Sequence, residues 1–319
     1  VFARLEVVVI GFCTALLLVA CGDARDDAAQ AADVAEATGA AHRTAVLRIA
    51  EQHGIAYAPL ALMQIENRIE AEWYRMANAT VIREAMLAGR LDVGSMGIPP
   101  YLIGRDRGLE WEVIAGVSEV PVGLVTRRPD LTRFADLTGA ERIALPQPGS
   151  IQHILLAMAA DHLWGDPTRF DAGLLSLSHP DGMTALLAGR EVDAHFTTPP
   201  FLFAELAEPD ARLLLDGREA FGGRFTFIVS VAAPAIGESG AAIARYREVL
   251  LEATTDLMNL QDELRRGARP AVLVALAAHY GLESEVLADQ LMRPEVVYST
   301  EVFGLERFEE AMRDFGYVE

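Results

Sequence analysis

Two cysteines, Cys13 and Cys21, are all the chain has, and both fall in its first 21 residues. The rest of the chain therefore has no thiol for a disulfide, a thiolate metal site or a nucleophile. Basic charge is also scarce. Twenty-seven Lys and Arg face 46 Asp and Glu, a formal net charge of -19. A nucleic-acid binder must neutralise phosphates with a basic surface, so that class is excluded. The acidity otherwise bears on solubility rather than fold. No H-x-x-x-H pair and no G-x-S-x-G occurs, which speaks against zinc hydrolysis and serine hydrolysis.

Hydrophobic residues make up 51% of the 319 positions, enough for two domains with real cores. The run VVVIGFCTALLLVA, residues 7–20, has the length of a signal h-region. It falls short of the roughly 20 apolar residues that span a bilayer. It ends Leu18-Val19-Ala20-Cys21, which resembles the lipobox of bacterial lipoproteins. That resemblance implies cleavage before Cys21 and lipid on its thiol. Residues 21–44, rich in Ala and Asp, read as a solvated tether. The expectation is a signal peptide over 1–20, a tether over 21–44 and a folded part from Ala45.

From there strands alternate with helices, which predicts an α/β fold of parallel sheets covered by helices on both faces. A strand lies in AVLRIAEQHGI, followed by the loop IAYAP and a helix starting near Pro59. RIEAEWYRMA reads as a strand, Asn78-Ala79-Thr80 as a loop and N-cap, and VIREAMLA as a helix ended by Gly89. After Pro129 a second unit follows the same plan. Its helix IQHILLAMAADHLW reads as strongly amphipathic, and Asp181 reads as the cap of GMTALLAG. Extended runs near 116–128 and 224–233 predict two crossings between two lobes. The first lobe takes residues 45–122 and 229–319, the second 123–228. The chain after 238 reads as almost wholly helical.

One corner occurs twice. LAGRLDVGSMGIPPYL, residues 87–102, and LAGREVDAHFTTPPFL, residues 187–202, each read as a helix end, a turn, a short strand and a loop with two prolines. In a parallel sheet the strand C-termini and the next helix N-termini share one edge, where unpaired amides carry partial positive charge. Two facing lobes with one such corner each would line a ligand cleft. Gly89 and Gly189 would supply left-handed caps, and Asp92 and Asp193 read as turn residues.

The order and spacing of IAYAP, NATVIREAMLAGRLDVGSMGIPP, DLTRFADLTGAERIALPQPGS and HPDGMTALLAGREVDAHFTTPPF resemble the solute-binding components of ABC importers, in the nitrate/sulfonate/taurine and thiamine-precursor group. The resemblance spans nearly all of residues 45–300. It implies a two-lobe periplasmic binding protein type II fold that closes about a two-strand hinge. It further implies an exported, lipid-anchored, monomeric protein without a cofactor, which hands a small organic ligand to a permease and its ATPase. The alternatives are a ligand-sensing lobe for a membrane signalling partner and a pyrimidine-synthase-like enzyme on the same fold. The enzymes of that type carry a cysteine-rich iron motif, which this chain lacks.

The candidate ligand contacts are Tyr57 in the first loop, Asn78 at a helix cap, Met96 and Gly97 in the first corner, Gly149, Ser150, Ile151 and Gln152 at a helix start, and Thr197 and Thr198 in the second corner. Ser150 and Asn78 are also read as caps, and Met96 also as core. His153, His179 and His195 fall on nearby segments without metal-ligand spacing, and His195 reads as buried against a backbone carbonyl. No Lys or Arg occupies the loops 56–59, 95–98, 149–152 or 196–198. An anion there would have to be held by amides and helix dipoles.

Overall fold

The computed structural model describes residues 46–232 and 238–319. The expected signal peptide, the tether and Cys21 lie outside the described residues.

The first sheet is built by β1 (Leu47–Glu51), β2 (Ala71–Arg75), β3 (Val93–Met96), β4 (Glu112–Glu119), β10 (Ile228–Ala232) and β11 (Val297–Tyr298). Their order is β11-β4-β10-β3-β1-β2. The second sheet is built by β5 (Gly123–Thr126), β6 (Ile143–Leu145), β7 (Leu174–Ser176), β8 (Ala194–Thr197) and β9 (Arg212–Asp216), in the order β7-β6-β8-β5-β9. Read from the β2 edge and the β7 edge, the two orders match: 2-1-3-10-4 against 7-6-8-5-9.

The sheets are mixed, not parallel. β1 pairs in parallel with β2 and β3, and β6 with β7 and β8. β10 runs antiparallel to β3 and β4, and β5 antiparallel to β8 and β9. The cause is the chain's route. β5 and β10 follow the two crossings, Val120–Val122 and Gly222–Phe227, and so enter their sheets from the opposite end.

The helices are α1 (Ala58–Ile65), α2 (Ala79–Leu87), α3 (Ile98–Asp106), α4 (Ile151–Trp164), α5 (His179–Ala188), α6 (Phe201–Leu206), α7 (Gly217–Phe221), α8 (Glu238–Arg265), α9 (Ala271–Tyr280), α10 (Ser284–Leu291) and α11 (Leu305–Asp314). Proline stands in the first turn of α1, α3 and α5, where its missing N–H costs nothing. Thus Pro99 and Pro100 belong to a helix and not to a loop. Pro199 and Pro200 do precede their helix, joined by a cis bond. Ser178, not Asp181, caps α5, because Pro180 fits the first turn and the Ser178 hydroxyl accepts the Asp181 amide at 3.4 Å. DLTRFADLTG forms only a 3-10 turn, Phe134–Asp136. Helix α4 is buried nearly all round over its first three turns, so its composition marks a central core helix rather than an amphipathic surface one. The C-terminal part is helical except for β11, which adds an edge to the first sheet.

The doubled corner has a shared bonding pattern. Asp92 precedes β3; its carboxylate accepts the Arg48 amide at 2.8 Å, and its own amide donates to the Arg48 carbonyl at 2.9 Å. Asp193 precedes β8; its carboxylate accepts the Arg142 amide at 2.8 Å, and its amide donates to the Arg142 carbonyl at 2.8 Å. Each aspartate also takes a guanidinium, Arg48 in one case and Arg128 in the other. Gly89 and Gly189 both stand at φ 66°, the left-handed turn that frees the chain to leave the helix. Both aspartates thus tie the start of one strand to the start of its parallel neighbour, which places the opposite, C-terminal ends of β3 and β8 at matching positions.

Candidate functional site

The C-terminal ends of the parallel strands and the N-termini of the following helices converge on one cleft. Its walls are Gln52, His53, Tyr57, Ala79, Gly97 and Pro100 from the first sheet's side and Pro146, Gln147, Ser150–Gln152, His179 and Thr198 from the second's. Phe227 and Ile228, at the second crossing, close the floor. About 410 Å³ is left unfilled by protein atoms, part of it open to solvent. The cavity proper is about 30 Å³, room for a water or two, so an organic ligand enters only when the walls part.

Five helices begin here. Tyr57 is the N-cap of α1, Asn78 of α2, Gly97 of α3, Ser150 of α4 and Ser178 of α5. Asn78 spends its side chain on the Thr80 and Val81 amides, at 3.0 and 3.1 Å. The Ser150 hydroxyl accepts the His153 amide at 3.3 Å. The first-turn amides of Ala79, Ile151 and Gln152 take no such cap, and they sit in the cleft walls. Unpaired N–H groups and the positive ends of helix dipoles therefore gather around one space.

The titratable lining is neutral. Burial first, then the charge of Arg75, lowers the His53 pKa. Burial first, then His195 and His53, brings His179 down to about 3. Burial holds the Tyr57 phenol well above its usual range. His179 is fixed by the Thr197 hydroxyl at Nδ1 (2.9 Å), the Gln152 amide at Nε2 (3.4 Å) and a stacked Phe201 ring at 5.9 Å. No Lys or Arg is among the lining residues.

Behind His179 lies His195, fully buried in β8. Its Nδ1 is 2.5 Å from Glu205 Oε1, a carboxyl in place of the expected backbone carbonyl. Burial raises Glu205 to about 8 and lowers His195 to about 3, so the carboxyl O–H donates to the neutral ring. The ring lies flat against Gly182, where a Cβ would come within 2.4 Å of Nε2.

Of the sequence candidates, Tyr57, Gly97, Ser150, Ile151, Gln152 and Thr198 line the cleft. Asn78, Gly149 and Thr197 stand one residue or one bond behind the wall. Met96 is buried with 0% exposure in the core beside Gly94. Gln52, His53, Gln147 and Phe227 escaped the sequence reading, which weighed His179 only as a metal ligand. Gln52, His53 and Gln147 lie just past a strand and His179 at a helix start, as the named candidates do, whereas Phe227 precedes β10.

The cleft is closed. The Thr80 amide reaches the Gln147 side chain at 3.4 Å across it. A Cβ on Gly97 would lie 3.3 Å from Ile151 Cβ, and one on Gly54 would lie 3.2 Å from the Pro199 carbonyl oxygen.

A bilobal α/β fold with a closed cleft between paired sheets defines the periplasmic binding protein type II class. Among solved structures, the chain is similar to the alkanesulfonate-binding protein SsuA from Xanthomonas axonopodis pv. citri bound to MOPS. Identity is 25%, the match covers 87% of this chain and 94% of that one, and the TM-score is 0.68. It is similar too to the periplasmic aliphatic sulphonate binding protein SsuA from Escherichia coli, at 25% identity, 85% and 91% coverage and a TM-score of 0.62. A Candida albicans protein with the generic periplasmic binding protein fold shares the fold alone, at 12% identity and a TM-score of 0.65. No protein-family profile matches the chain, and no curated protein matches it. The structural likeness is thus to SsuA sulfonate-binding proteins and to other proteins of the periplasmic binding protein fold.

Proposed function

We propose that this protein binds a small organic anion, of the sulfonate kind or a related singly charged oxyanion, and delivers it to an ABC permease as its two lobes close. One observation carries the reading: uncapped first-turn amides from both sides, Ala79 on one and Ile151 and Gln152 on the other, meet in a cleft whose side chains are neutral. Amides and helix dipoles stabilise one negative charge without a counter-ion. A doubly charged, strongly hydrated anion would lose more solvation than these groups return. Tyr57, Phe227, His53 and His179 then offer flat surfaces and hydrogen bonds to the organic remainder. The two sulfonate-binding neighbours support this ligand class.

In this account the first lobe comprises residues 45–122 and 229–319 and the second 123–228, and they move about the two crossings. The protein acts by binding rather than by turnover. It is exported and held to a membrane by lipid on Cys21, and a permease with its ATPase receives the ligand.

Calorimetric titration of alkanesulfonates, taurine, nitrate and small carboxylates tests the reading. One compound should bind one-to-one and be recovered unchanged, and Gln152→Leu, which alters one wall, should weaken it. Failure of every organic anion to bind would refute the reading. Mass spectrometry of the membrane fraction, with Cys21→Ser as control, tests the anchor.

A further inference from the structure

The loop that presents Ile151 and Gln152 is held from behind by a histidine that does not line the cleft. His153 is 3% exposed and occupies the third position of α4. In a capping box this position carries Glu or Gln, whose side chain reaches back to an amide before the helix. Here a ring does so: the Gly149 amide donates to His153 Nδ1 at 2.9 Å. A ring nitrogen that accepts carries no proton, so the proton sits on Nε2. Nε2 stands 3.0 Å from Asp171 Oδ1 and 3.3 Å from the Tyr317 hydroxyl. The Tyr317 ring meets the imidazole edge-on at 5.2 Å. Burial first, then Asp171, pushes the Tyr317 phenol up to about 12, so it remains a neutral hydroxyl.

Tyr317 belongs to the segment after α11, and that segment is fastened to the other side of the cleft. The Tyr317 amide donates to the Met312 carbonyl at 2.8 Å, and the Glu319 amide to Asp106 Oδ1, at the end of α3, at 2.7 Å. Helix α3 begins at Gly97 in the first lobe's cleft wall, and α4 begins at Ser150 in the second's. A continuous path therefore runs from α3 through residues 317–319 to His153 and the Gly149 amide.

We propose that His153, oriented by Asp171 and Tyr317, is a positioning residue that fixes the ligand-binding loop, and that the segment after α11 joins this loop to the opposite wall in the closed form. Gly149 has φ +79°, and a Cβ there would lie 2.8 Å from Ile103 Cδ1 of α3. The bond to His153 holds the loop in this turn while Ser150 caps the helix and its amide donates to the Gln147 carbonyl at 3.1 Å. The Ile151 and Gln152 amides are thereby left free, and Gln147 is held toward Thr80. The relevance of this positioning to ligand binding rests on the function proposed above; the positioning itself does not.

The test is residue-resolved amide hydrogen exchange on the ligand-free protein, paired with melting temperature and anion affinity. His153→Leu removes the acceptor, His153→Gln restores one, and Tyr317→Phe removes only the orienting hydroxyl. Gly149 exchange should quicken about fivefold in His153→Leu, the loss of one net hydrogen bond. It should return close to the starting rate in His153→Gln and quicken by a smaller factor in Tyr317→Phe. The β6 core amides should not change in the last two. Unchanged Gly149 exchange in Tyr317→Phe, or failure of Gln to restore protection, overturns the proposal even if His153→Leu does not fold. Protection that responds as stated, in a protein that binds no organic anion, would leave the positioning intact and refute the proposed function. Anion binding with unchanged Gly149 exchange in His153→Leu would do the reverse.

Discussion

Gly97→Val should hold the cleft open. Gly97 has φ -64° and ψ 159°, ordinary extended backbone, so a side chain there is not strained in itself. What it lacks is room in the closed form. Its Cβ would lie 3.3 Å from Ile151 Cβ and 3.6 Å from both Ile151 Cγ2 and the Phe227 carbonyl oxygen. Alanine could be taken up by a shift of a few tenths of an ångström. Valine adds two methyl groups in the same gap, and overpacking of this kind costs about 1–3 kcal/mol. Ile151 belongs to the opposite lobe, so opening relieves the contact and the penalty falls on the closed form alone. The closed-to-open ratio, and with it the affinity for a ligand that needs closure, should then fall about 5- to 150-fold. Titration calorimetry reads the affinity, and small-angle scattering the accompanying increase in radius. Gly97→Ala should show a much smaller change, and the melting temperature of the ligand-free Val variant should stay near that of the parent. An affinity for Gly97→Val within twofold of the parent would refute the reasoning. So would a melting temperature that falls in proportion to affinity, because the defect would then be one of folding.

The remaining predictions concern the structure behind the walls. Gly182→Ala should destabilise despite alanine's better helix propensity, because its Cβ would meet the buried His195 ring at 2.4 Å; about 1–3 kcal/mol is expected, read as a drop of several degrees in thermal melting. Asp92→Ala and Asp193→Ala should each cost about 1 kcal/mol, since each removes the acceptor of one strand amide and one half-exposed guanidinium. Their effects should add in the double variant, because they brace different sheets. Glu205, raised to about 8 by burial, binds its proton more tightly folded than unfolded. Its contribution is fully present below its unfolded value near 4.5 and is lost as pH rises through about 8. His195, lowered to about 3 by burial, opposes this up to its unfolded value of 6.5, so the net decline in denaturant stability shows between about 6.5 and 8. Glu205→Gln should flatten it there, and an unchanged pH profile would count against the neutral His195–Glu205 pair.

Much of this fold was legible in residue order. The caps at Asn78 and Ser150, the left-handed glycines at 89 and 189 and the start of α1 near Pro59 are local, and local chemistry fixes them. The doubled corner was legible because both copies need the same turn and the same aspartate. The antiparallel entry of β5 and β10 was not, since a strand of four or five residues reads alike in either direction. Met96 could not be assigned to wall or core because every residue of β3 is buried, which erases the alternation that would show its face. Gln52, His53 and Gln147 reach the cleft only because the sheets bring their loops together, and no spacing along the chain records that. His195 looked like a lone buried histidine because its partner, Glu205, comes from the next helix rather than from the backbone.

The central claim is that a closed, neutral cleft rimmed by helix N-termini holds one small organic anion. A thermal-shift panel on residues 44–319, with sulfonates, taurine, nitrate, bicarbonate, small carboxylates and neutral pyrimidines, tests it most directly. A ligand at about 100 times its dissociation constant adds roughly 2.7 kcal/mol, a shift of several degrees for a chain of this size. The account predicts such a shift from at least one singly charged organic anion, and its loss in Gly97→Val. A shift produced only by neutral compounds, or by none of the anions, would contradict it.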